Sequence, residues 1–124
     1  MNNMQILLFH VEPLKAAHIE RLCINLGIRT SRIKQEDYSQ KLAYLAGIPG
    51  FPRENIDYTG PEFPSEMMVF ANMADMLDSF LSEYKKAGIP SIGLKAVITP
   101  HNIFWTAEDL YNELFKEHQY FQKQ

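Results

Sequence analysis

A chain of 124 residues with net charge −3 and a single cysteine already excludes several classes of protein. The length suits one domain that buries its own core without staples. The charge offers no basic field to hold a nucleic-acid backbone, and a lone Cys23 rules out an internal disulfide and fits a reducing compartment.

Apolar residues make up 46% and charged residues 22%, a globular composition rather than a disordered one. The start, Met1-Asn-Asn-Met-Gln, lacks the basic region of a signal peptide. No stretch approaches the ~18–20 apolar residues that cross a bilayer. The expectation is a soluble, cytoplasmic protein.

Ile6–Val11 is apolar on both alternating faces and reads as a strand covered on both sides. Pro13 fits the first turn of a helix, and Ile19, Leu22, Cys23 and Leu26 form its buried stripe. Lys15, His18, Arg21 and Asn25 fall on the opposite, wet side, and Gly27 ends the helix. Arg29–Lys34 is a weak strand whose charges suit a sheet edge. Glu36, Asp37 and Ser39 start a short helix through Leu42, Ala43, Leu45 and Ala46, stopped by Gly47. Residues 48–66 hold Pro49, Pro52, Pro61 and Pro64 with Phe51, Tyr58 and Phe63 between them, which predicts an ordered loop laid across the domain.

Met67–Ala71 is a second fully apolar strand. Asn72 caps the next helix, with Asp75 in the capping-box position. Leu77, Phe80, Leu81 and Tyr84 make its stripe, and Gly88 and Pro90 end it. Leu94–Ile98 is the fourth strand, with Leu94, Ala96 and Ile98 facing one way and Lys95 and Val97 the other. After a turn at Thr99-Pro-His-Asn102, Thr106 caps a last helix with Asp109 at its third position. Its inner stripe is Leu110, Leu114, Phe115, His118 and Phe121.

At an offset of sixty-one residues Phe9 matches Phe70, Gly27 matches Gly88, Ile28 matches Ile89 and Lys34 matches Lys95. The expected architecture is α+β: one domain, 1–124, of two like-built halves (4–47 and 67–121) joined by the 48–66 loop. Two crossover units meeting through their first strands give a ferredoxin-like sheet, with the extra helix of each half covering its other face. The alternative is a doubly wound, mostly parallel α/β sheet.

The polar groups are weighed against simple packing roles. A Phe9/Phe70 pair could stack bases, but the acidic chain favours core packing. Cys23 reads as a buried structural thiol. His10, His18, His101 and His118 show no metal spacing, so no metal and no cofactor are expected. Pro49-Gly-Phe-Pro52 and Pro61-Glu-Phe-Pro64 fit a polyproline ligand pattern, yet their aromatics suit anchoring the loop. Arg29, Arg32 and Lys34, with Lys95, form a candidate anion patch. The most site-like stretch is 95–105, where Lys95, Thr99, His101, Asn102 and Trp105 gather at a strand end, as candidate binding residues. No nucleophile–base pair or phosphate loop accompanies them.

The whole chain resembles a family of small, uncharacterised bacterial single-domain proteins catalogued as a domain of unknown function. The marks of that resemblance are Gly47-Ile-Pro-Gly-Phe51, Phe63-Pro64 before the Met67 strand, and Leu94-Lys-Ala-Val-Ile-Thr-Pro100 followed by Asn102 and Trp105-Thr106. It implies a stand-alone domain and favours the 95–105 stretch as a site, and it brings no activity with it. The reading is a non-enzymatic binding or regulatory module for a small molecule or protein, in which a homodimer is possible. One alternative is a small enzyme with a site around Lys95, His101, Asn102 and Trp105. Another, less favoured, is a nucleic-acid-binding domain.

Overall fold

The computed structural model describes residues 3–122, with side chains through Gln119. Its elements are β1 (Gln5–Phe9), α1 (Pro13–Leu26), β2 (Arg29–Ile33), α2 (Leu42–Leu45), β3 (Met67–Ala71), α3 (Leu77–Lys86), β4 (Leu94–Val97) and α4 (Ala107–Gln122). The four strands form one sheet in the order β2-β1-β3-β4. β1 and β2 are parallel, as are β3 and β4, while the two central strands run antiparallel. The fold is therefore α+β with a mixed sheet, and the two units meet through their first strands. Within each unit the parallel strands are direct neighbours.

Every residue of both central strands is buried. Alternation divides them between two cores. Ile6, Leu8, Met68 and Phe70 pack with α1 and α3 through Ile19, Cys23, Phe80 and Tyr84. Leu7, Phe9, Met67 and Val69 pack with α2 and α4 through Leu42, Leu45, Leu110 and Tyr111. The extra helix of each half thus covers the second face, which is why neither strand has a polar side. Fully burying one such side chain contributes about 1.5–3 kcal/mol.

The register corrects one pairing. Phe9 lies opposite Met67 and Phe70 opposite Ile6. The two phenylalanines sit in different cores, so they form no stacking platform. The strand ends correspond at an offset of sixty-two, not sixty-one: Gln5–Phe9 against Met67–Ala71, each followed by a residue at φ 58, His10 and Asn72. A slip of one residue exchanges the faces of a strand.

Helix starts differ from expectation for local reasons. Glu12 caps α1, its carboxylate accepting the N–H groups of Leu14 and Lys15. Those bonds hold the Glu12 carboxyl below its ordinary range. Lys15 is not on a wet face: it is half-buried and ion-paired with Glu66. Asn72 does not cap α3. Its left-handed backbone turns the chain out of β3, its amide donates to the Asn3 carbonyl, and the helix begins only at Leu77. The expected short helix after β2 is split into a 3₁₀ turn at Gln35–Asp37 and α2. Thr106 does cap α4, its hydroxyl accepting the N–H of Asp109 at 3.1 Å. His118 is exposed rather than on the inner stripe, and the Phe121 side chain lies outside the described residues.

The 48–66 connection is neither strand nor helix, and it is laced down. Buried Gln40 donates to the carbonyls of Glu54 and Ile56 and accepts the Glu54 N–H. Tyr38, Phe63 and Tyr111 stack with centroids 4.0 and 4.1 Å apart. Arg53 reaches Asp37 and Asp57. The Pro61–Pro64 segment is therefore tied to its own domain by buried Phe63.

Candidate functional site

β4 hands the chain to α4 through a turn built on Asn102. Its side-chain oxygen accepts the Thr99 N–H at 2.9 Å, and its amide donates to the Val97 carbonyl at 3.0 Å. The Thr99 hydroxyl accepts the N–H groups of His101 and Asn102. Asn102 is buried and committed at both ends, so it braces the turn and does not present itself to a ligand.

The five residues singled out in the sequence are not gathered into one pocket. Thr99 is exposed at the end of β4. His101 is exposed, its ring edge-on to Trp105 at 5.4 Å. Trp105 lies at the margin of the α2/α4 core, the side to which Leu94, Ala96 and Ile98 point. Lys95 alternates to the opposite face, and its ammonium donates to the Ile92 carbonyl at 2.7 Å. The anion patch is divided as well, because Arg29 and Arg32 lie on β2 at one sheet edge and Lys95 on β4 at the other.

A groove of about 380 Å³ does open beside Thr99. Ala71 and Asn72 at the end of β3 form one wall, and Ile98, Thr99, Pro100, Ile103 and Phe104 form the other. Ile48 closes it from the loop after α2. Phe104 is 58% exposed, and its ring meets Phe51 at 5.6 Å.

The position follows from topology. β3 leads to α3 on one face and β4 leads to α4 on the other. Parallel neighbours whose connections part in this way leave a crevice at their carboxyl ends. The lining is mostly apolar with one hydroxyl and one amide, the composition of small-molecule sites. Sequence reasoning found Thr99 but missed Ile48, Asn72 and Phe104. The signal for Asn72 was a residue able to adopt the left-handed backbone directly after a buried strand; Ile48 reaches the groove only through tertiary packing.

Among the described residues no three His, Cys, Asp or Glu side chains gather as a metal-holding group. No helix among them is long and apolar enough to cross a membrane. Cys23 is buried, and that burial pushes its thiol up to about 12.

No curated protein and no solved structure matches the chain. Residues 66–121, which carry β3, α3, β4, the groove's Thr99 wall and most of α4, match the profile of a family described as a domain of unknown function (DUF3783).

Proposed function

We propose that the protein is a binding module whose β3/β4 groove takes a small, largely apolar ligand bearing one or two polar groups. The observation that carries this is the groove's place, at the point where the connections of two parallel strands part. The Thr99 O–H and the Asn72 side-chain oxygen, the parts of those groups not used in the bonds to the turn and to Asn3, supply polar contacts, Phe104 and Ile98 the apolar ones. Asn102 holds the turn that presents them, while His101 and Trp105 flank it on the α4 side. Lys95 stays outside, because its ammonium is already bound to Ile92.

The test is a fragment titration followed by amide NMR on the full chain. Shifts clustered on residues 71–72 and 98–104, and lost in Phe104→Ala, are expected. Shifts that fall elsewhere, or none from a chemically broad fragment set, would defeat the reading.

The halves 4–47 and 67–121 are read as one duplicated unit within a single domain. The paired left-handed residues His10 and Asn72 support this. The plan is ferredoxin-like in that two crossover units share a sheet, although each unit keeps its parallel strands adjacent. A cytoplasmic setting accords with the lone buried thiol. A homodimer would form most readily through β4, the edge without β2's exposed arginines.

A further inference from the structure

The β1/β2 pair makes a second crevice by the same rule. β1 leads to α1 on one face and β2 leads toward α2 on the other. The cavity there is about 150 Å³ and, where its counterpart is mostly apolar, half of its lining residues are polar: His10, Arg32, Tyr38 and Glu62. At about 30 Å³ per water, that is room for roughly five waters, enough for one tetrahedral oxyanion.

Three of these groups are held by hydrogen bonds and keep one atom uncommitted among the described residues. A carbonyl can only accept, so the 2.6 Å contact between His10 Nδ1 and the Phe63 oxygen places a proton on Nδ1. Nε2 is the nitrogen left for a ligand. Glu62 Oε1 accepts the Tyr38 hydroxyl at 2.6 Å and the Phe63 N–H at 2.8 Å, which leaves Oε2 uncommitted among the described residues. Arg32 holds Glu20 through Nε and Nη2, each at 2.7 Å, and Nη1 remains. The crevice therefore offers the remaining N–H of a guanidinium paired with Glu20, an imidazole and a carboxylate acceptor around a volume of about five waters.

We propose that this crevice binds the phosphate monoanion, its charged oxygens accepting from Arg32 Nη1 and, with the imidazole carrying a proton on both nitrogens, from His10 Nε2, while its own O–H donates to Glu62 Oε2. The carboxylate is the discriminating group. Sulfate has the same shape but no proton at working pH, so it would set an oxygen lone pair against Glu62. A site built to accept a hydrogen bond rejects an analogue that lacks the donor. The same monoanion ends a phosphate monoester.

The experiment is a titration of the full chain at pH 5.5, where phosphate is a monoanion, following the His10 ring signal and the Arg32 Nε–H signal by NMR. Saturable shifts with inorganic phosphate are expected, and sulfate should bind at least ~10-fold more weakly. Arg32→Ala should abolish saturation, and Glu62→Gln should erase the preference over sulfate. His10→Asn keeps a left-handed-tolerant residue and leaves the Tyr38–Glu62 contact alone. In that variant phosphate should weaken with the preference retained, which separates loss of the site from loss of the fold. Phosphoserine distinguishes the sources: tighter binding than inorganic phosphate assigns the site to monoesters, and weaker binding assigns it to the free ion. Non-saturating shifts, equal binding of sulfate by the native chain, or unchanged affinity in Arg32→Ala would overturn the proposal.

Discussion

Gln40 is fully buried and satisfies three backbone groups of the long connection with one amide. Truncation leaves those groups without partners, and Gln40→Ala should cost about 2–3 kcal/mol. Urea unfolding gives the loss, and faster hydrogen exchange at Glu54 would locate it. Cys23 makes a cheaper test. With its thiol pushed up to about 12 by burial, it should ignore thiol reagents at pH 8 in the native protein and react only on unfolding. Glu12 sets an acid-side expectation. Its carboxyl is lowered by the N–H groups of Leu14 and Lys15 from an ordinary value of 4.5. The unfolded chain therefore takes up this proton first, and the cap's contribution is present above pH 4.5 and lost as pH falls through the lowered folded value. Thermal midpoints measured from pH 6 to pH 3 should fall more steeply for the native chain than for Glu12→Gln.

The segment before β3 is held mainly by a ring stack. Phe63 lies between Tyr38 and Tyr111, nearly parallel to both, and a Phe63→Ala substitution removes the middle ring. A loss of about 3–5 kcal/mol is expected, with a collapsed near-ultraviolet circular dichroism signal. A native signal and a loss under 1 kcal/mol would show that the polar ties alone hold the segment. At this scale the sequence was a good guide where apolar periodicity and punctuation agreed. The spans of α1 and β3, the faces of β4 and the Thr106 cap all followed from it. It failed where one residue type serves two purposes. Asn72 suits both a helix cap and a left-handed turn, and only the Asn3 carbonyl decides between them. Lys15 looked solvated because its partner, Glu66, is fifty-one residues away. The site stretch was legible as a turn and illegible as a pocket, because Ile48 and Asn72 reach it from other parts of the chain.

Across the whole molecule, Lys15 ties the start of one half to the other. It pairs with Glu66 ahead of β3 and donates to the Ser91 carbonyl ahead of β4, while Glu66 also accepts the Glu12 N–H. Glu66→Gln should cost about 1–2 kcal/mol, and a double-mutant cycle with Lys15→Met should show coupling near ~1 kcal/mol. Additive losses would mean that the pair is incidental. The antiparallel centre of the sheet has a larger consequence. It sends the two crevices to opposite poles of the molecule. An occupant at one pole shares no side chain with an occupant at the other. The β1/β3 ribbon between them is clamped by apolar packing above and below. Two crevices with separate linings, at opposite ends of one sheet, are what this arrangement entails.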